Sequence, residues 1–178
     1  LGDASRVVLL AKGGWSTKEE LATLKRFEPP PDVVIFSYFY NDIENAAVES
    51  GLERPSTWPT PSRWLRPLVD HSDFFNFVYW RWFRYSHSQT LQKGYSDFLS
   101  KAYGDRQIWE AHKQQLLAVD KFCQDQNAEL IVLLFPNLVN PNASQKPLAK
   151  VAEVFREQGR PVLEVADWIK GKPVNELI

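Results

Sequence analysis

Methionine is absent from the chain, cysteine occurs once and histidine three times. A single cysteine excludes an internal disulfide and any zinc site built from cysteine pairs. His71, His87 and His112 are too scattered to supply an H-x-H or H-x-x-x-H ligand pair. An excess of either charge is lacking as well. Lys and Arg total 21 against 22 Asp and Glu, a net charge of −1. No global basic field therefore draws in nucleic acid or an anionic membrane. No run reaches the roughly 20 uncharged apolar residues of a spanning helix, and no signal-peptide pattern is present. A chain that opens at Leu1 without methionine is expected to be a mature product, an excised domain or a partial chain. Any targeting segment would then lie upstream.

What is present is an ordinary globular balance, 44% hydrophobic and 24% charged over 178 residues, enough for a single domain. The run Val7-Val8-Leu9-Leu10 ends in Ala11-Lys12-Gly13-Gly14 and predicts a buried strand followed by a turn. Ser16 and Thr17, each followed three residues later by glutamate (Glu19, Glu20), are overlapping capping boxes for a helix to about Phe27. Pro29-Pro30-Pro31 ends it. Val33–Phe36 predicts a second strand, which leads into Tyr38-Phe39-Tyr40-Asn41-Asp42. Strand, helix and strand in this order form a right-handed βαβ unit.

Ala46 to about Thr60 predicts a loop, and Ser86 to Ser96 a polar patch. Arg106–Gln126 predicts a long amphipathic helix with Ile108, Trp109, His112, Leu116, Val119 and Cys123 on one face. Leu130–Phe135 is the clearest strand. A helix from about Lys146 to Gln158 ends at Gly159, and Pro161–Val165 predicts a fourth strand before a final helical stretch. Alternating strands and helices imply one α/β domain over 1–178, a doubly wound, flavodoxin-like parallel sheet with helices on both faces. Residues 46–96 read as a loop and aromatic helical insertion.

Ligands of open parallel sheets sit beyond the carboxyl ends of the strands. There the first strand delivers Gly13-Gly14 at a helix entrance, where free N–H groups favour an anion. The second delivers Asn41, a side-chain amide donor. The two N–H groups aimed at one point would form an oxyanion hole, while a tight turn and a capped turn explain the same residues without any ligand.

The order of apolar strand, K-G-G-W-S-T, helix and P-D-V-V-I-F-S-Y-F-Y-N-D-I resembles the SGNH (GDSL-type) hydrolase family. The resemblance implies that Gly14 and Asn41 complete an oxyanion hole, with Trp15, Tyr40 and Asp42 beside the substrate. It implies an ester hydrolase of acyl groups, lipid or carbohydrate O-acetyl, with a serine nucleophile, a histidine base held by an aspartate, and no metal or organic cofactor. Phe39 stands where the family has glycine. The G-D-S block should end a strand well before Gly14, yet Leu1–Ser5 leads straight into Val7–Leu10, and Asp167 is followed at the third position by Lys170 rather than histidine. Serine and histidine are therefore expected outside this chain. The expected partner is a small-molecule or glycan ester, with no nucleic acid; the rival class is a non-catalytic carbohydrate-binding or scaffold module with a relic oxyanion site. Lone-cysteine usage fits both cytoplasmic and exported bacterial enzymes, and an extracytoplasmic bacterial setting is the expectation.

His112 is expected to be a hydrogen-bonded core histidine, and Cys123 an inert buried thiol. His71 and His87 are placed in polar loops, and Ser37 in a strand. Asp42 could orient Asn41 or cap the next turn. Trp58 to Lys93 holds ten aromatics, with Arg63, Arg66, Arg81, Arg84 and Lys93 against Asp70 and Asp73. Phe74–Tyr85, as a helix, is apolar almost all round. It could be a lid, a shallow membrane contact, or a helix buried against the sheet with its arginines snorkelling out, which is the reading preferred from sequence.

Overall fold

Three of the four expected strands form, and they make one parallel sheet in the order β1-β2-β3. The computed structural model describes residues 6–55, 61–138 and 140–169, and for 84 and 88–92 the backbone alone. The Leu1–Ser5 block, residues 56–60 of the expected loop, and everything after Ile169, Lys170 included, lie outside the described residues. The elements are α1 (Thr17–Leu24), β1 (Val33–Phe39), α2 (Glu44–Glu49), α3 (Arg66–His71), α4 (Asp73–Gly104), α5 (Arg106–Asp125), β2 (Glu129–Phe135), α6 (Pro141–Glu157), β3 (Val162–Glu164) and α7 (Val165–Ile169). β1 pairs with β2 from Val33↔Glu129 to Phe39↔Phe135, and β2 with β3 from Val132↔Val162 to Leu134↔Glu164.

Val7–Leu10 is not a strand. It carries no regular secondary structure, and Val7 and Leu9 are 93% and 87% exposed. A short apolar run becomes a strand only where a neighbour supplies a hydrogen-bond ladder. β1 is the edge of the described sheet, and the run does not reach it. The loop expected from Ala46 begins later, and the polar patch 86–96 lies within a helix. Glu44–Glu49 is helical, and α4 runs unbroken through 86–96, so His87 is helical and His71 ends α3. Thirty-two residues at 1.5 Å each make α4 about 48 Å long.

Alternation along the strands sorts the core. Phe36, Tyr38, Leu130, Val132 and Leu134 are buried beneath α5 and α6, with the Phe36 and Phe155 rings 5.9 Å apart. On the other face Ile35 remains 60% exposed, and Val33, Phe39 and Leu163 are exposed too. A second complete helical layer would bury them, and the described residues do not supply one. α5 follows its expected face: Ile108, His112, Leu116, Val119 and Cys123 are buried, and Asp105 caps it by accepting from the N–H groups of Gln107 (2.8 Å) and Ile108 (3.0 Å). Burial pushes the Cys123 thiol up to about 11, which suits an inert core thiol. Gly159, at φ +72°, ends α6 as expected.

Four polar groups cross this core in a single chain. The Tyr103 hydroxyl donates to the Tyr40 carbonyl at 3.0 Å. Its one proton being used, it accepts from the Tyr38 hydroxyl at 2.6 Å. Tyr38 in turn accepts from His112 Nε2, 2.8 Å away. This order makes His112 the neutral Nε2–H tautomer, so Nδ1 is an acceptor and calls for the amide nitrogen of Gln115 at the position 3.2 Å away. Burial lowers the imidazole to about 4, in keeping with a neutral ring.

Removing the Tyr103 hydroxyl strands both Tyr38 and the Tyr40 carbonyl. Tyr103→Phe should cost about 1–3 kcal/mol in urea unfolding, and adding Tyr38→Phe should cost less than the sum of the two singles. Additive losses would show that the hydroxyls act independently. The unfolded chain protonates histidine near pH 6.5 and the folded one near 4, so His112 makes stability fall as pH drops from 6.5 to 4. Thermal unfolding across that window, with His112→Gln flattening the slope, checks this.

Candidate functional site

The turn that presents Gly14 is closed by the Trp15 N–H donating to the Lys12 carbonyl at 3.1 Å. Gly14 sits at φ +84° in its third position, a conformation that side chains with a Cβ rarely adopt. Among the described residues its N–H makes no hydrogen bond. Asn41 follows β1 in a second tight turn. Asp42 N–H donates to the Phe39 carbonyl at 2.9 Å, and the Asp42 carboxylate accepts from the Phe39 N–H at 2.7 Å. The two roles open for Asp42 thus merge: it caps the turn and thereby holds Asn41 at its apex. The Asn41 side chain is exposed and makes no hydrogen bond among the described residues.

Glu19 joins the two turns. Its carboxylate accepts from Ser16 N (3.0 Å) and Ser16 Oγ (2.7 Å) at the start of α1, and from Asn45 Nδ2 (2.8 Å) on α2. Burial alone would raise this carboxyl, but the Ser16 and Asn45 hydrogen bonds outweigh it and hold the group below its ordinary value. The capping box expected at Ser16 therefore also fastens the Gly14 turn to the Asn41 turn. Glu19 also supplies the negative charge that the start of α1 favours, so that helix end is not a vacant anion site.

Gly14, Trp15, Asn41 and Asp42 line one cavity of about 400 Å³, together with Ala11, Lys12, Gly13, Glu20 and Phe39. Four of the five residues singled out from sequence are thus brought together. Tyr40 is not. It is buried and stacked on Tyr103, with ring centroids 5.5 Å apart and planes within 3°, so it supports the site from the core rather than lining it. Phe39 turns its ring onto the open face of the sheet and stacks on Phe135 at 4.6 Å. The bulky side chain is housed away from the core.

Glu20 is an ionisable lining residue that the sequence shows only as a capping partner. Its Oε2 is buried without a hydrogen-bond partner. Burial, with the neighbouring Glu19 charge, pushes the carboxyl up to about 7. Asp42 is also raised well above the carboxylate range, by burial first and by Glu20 after it, while the Phe39 N–H opposes the shift. Among the described residues no cluster of three or more His, Cys, Asp or Glu could hold a metal ion. His71, His87 and His112 are not among the residues lining the cavity. Compared with protein-family models, curated proteins and solved structures, the chain finds no match.

Folding keeps Glu20 protonated up to about pH 7, whereas the unfolded chain ionises it near 4.5. Its burial therefore costs stability increasingly from pH 4.5 upward, fully so above 7. Glu20→Gln should raise stability at pH 8.5 by about 1–2 kcal/mol, allowing for partial solvent access, and change it little at pH 4.5. Equal effects at both pH values, measured by denaturant unfolding, would show that Glu20 is not held neutral.

Proposed function

We propose that this chain forms the oxyanion-binding part of an SGNH (GDSL-type) ester hydrolase with a doubly wound, flavodoxin-like fold. One observation carries the reading: Gly14 and Asn41, which come from turns separated by a helix and a strand, line the same cavity. Both are unengaged donors, one backbone and one side chain, beside the carboxyl end of a parallel strand. The reaction is acyl-ester hydrolysis through a serine nucleophile and a histidine base carried outside this chain. Serine attacks the ester carbonyl, histidine takes the serine proton, and the Gly14 N–H with the Asn41 amide receives the charge that develops on the carbonyl oxygen. Ionised carboxylates at such a site would oppose that charge. The burial that raises Glu20 and Asp42 weakens the conflict as pH falls below about 7. Trp15 offers a wall for the acyl or sugar portion of the ester.

The test uses the chain joined to segments that carry the serine and histidine. Asn41→Ala should lower kcat on a chromogenic acetate ester by roughly 10²–10³ with KM little changed, because the amide bond strengthens in the transition state. Asn41→Asp should be at least as harmful, since it replaces a donor by a negative acceptor. A merely turn-capping Asn41, as in a non-catalytic carbohydrate-binding module, predicts a lower melting temperature with kcat per phosphonate-titrated site unchanged. A kcat within about threefold of the parent would reject the oxyanion role. Turnover and phosphonate labelling of the 178-residue chain by itself would show that the nucleophile lies within it.

A further inference from the structure

The amino-terminal half of α4 does not do what an apolar helix ordinarily does. Its carboxyl half is core: Phe98, Leu99, Ala102 and Tyr103 are buried. The first half packs on α3, where Asn76 Nδ2 donates to the Val69 carbonyl at 3.1 Å, and it does not lie against the sheet. The expectation of a helix buried there is overturned. Phe74, Phe75, Phe77, Val78, Trp82 and Tyr85 are all exposed, Phe74 by 69% and Tyr85 by 89%. At 100° per residue these six fall within an arc of about 160°, and Phe83, which is buried, points the opposite way. The helix has a sided apolar surface, and the side is turned to solvent.

Charge says what that surface meets. Between Asp73 and Asp97 the sequence has no acidic residue, and residues 61–93 carry a net +3 in a chain whose total is −1. Arg81 lies within the arc, between Phe77 and Phe74, with its guanidinium over the Phe77 ring at 5.9 Å, and Arg66 on α3 pairs with Asp70 at 3.3 Å. A second copy would bring the two basic patches face to face, which disfavours self-association. Aromatic side chains interleaved with arginine suit the bilayer interface, where rings sit at headgroup depth and cations meet lipid phosphates. None of the described helices is long and apolar enough to cross a membrane. We infer that the Phe74–Tyr85 face of α4 lies on an anionic lipid surface, inserting its rings to headgroup depth while Arg81 pairs with lipid phosphates. This surface is separate from the cavity, and the inference does not depend on the ester-hydrolase reading.

The experiment is co-sedimentation of the 178-residue chain with sonicated vesicles of phosphatidylcholine, pure or with 30% phosphatidylglycerol, at about 0.1 M salt. Binding to the anionic vesicles is expected, with far weaker binding to the neutral ones. Phe74→Ser, Val78→Ser and Trp82→Ser combined should weaken anionic binding on the order of 100-fold. Arg81→Gln should weaken it about fivefold without touching the weak neutral component. All three serine sites are exposed, and circular dichroism of the variant confirms the fold. Brominated lipid should quench the wild type more than a Trp82→Phe variant. Failure to bind either vesicle, equal binding to both, or binding that the triple variant leaves unchanged would overturn the inference. So would a concentration-dependent dimer in sedimentation velocity that the triple variant abolishes, since the face would then belong to a second copy.

Discussion

The hydrogen-bonded chain from His112 through Tyr38 and Tyr103 to the Tyr40 carbonyl is the constraint on which the rest is hung. Tyr38 is fully buried in β1, His112 in α5 and Tyr103 in α4, so three elements must meet to satisfy one another's polar groups. In a low-dielectric core a missing member leaves an unpaired hydroxyl or carbonyl. The chain therefore fixes more than contact: it sets which way each ring faces and which imidazole nitrogen holds the proton. Its last acceptor is the carbonyl of Tyr40, one residue before Asn41. Core packing and placement of the Asn41 turn are thus a single arrangement.

From that anchor outward, carboxylates do the positioning. Asp42 closes the turn after β1, and Glu19 links it through Asn45 to the entrance of α1. Glu19 is ionised because three donors surround it, whereas Glu20, one residue on, is driven toward neutrality because its Oε2 has none. Neighbouring glutamates with opposite shifts show how hydrogen bonding and desolvation divide the work at the cavity: one clamps, the other lines it without adding full negative charge.

The sheet is lopsided in the same economical way. Its Phe36–Tyr38 face carries the helical layer and the polar chain, while Val33, Ile35 and Phe39 on the opposite face stay exposed at the β1 edge. The unpaired run Val7–Leu10 and the unoccupied edge are two aspects of one fact, since a parallel strand exists only with a partner beside it. Apolar surface is likewise left over on α4, where the long helix outruns the core that buries its carboxyl half.

Local signals were legible wherever the deciding interactions are near in sequence. The capping box at Ser16, the glycine needed at Gly14 and Gly159, the apolar runs Val33–Phe36 and Leu130–Phe135 as strands, and the buried face of α5 all follow from backbone conformation, short apolar runs and the 3.6-residue period. The α/β class and the pairing of Gly14 with Asn41 as candidate residues came from that level. Tertiary structure decided everything that turns on a distant partner. Val7–Leu10 has strand composition but no ladder, and Tyr40 has a substrate-facing position in sequence but a core ring in Tyr103. Glu20 is a cap by spacing but a cavity group by burial. The Phe74–Tyr85 helix is apolar enough for a core, yet it packs on α3 and turns its aromatic face to solvent. Sequence specifies what each segment can bury; only the folded chain determines what is left to bury it against.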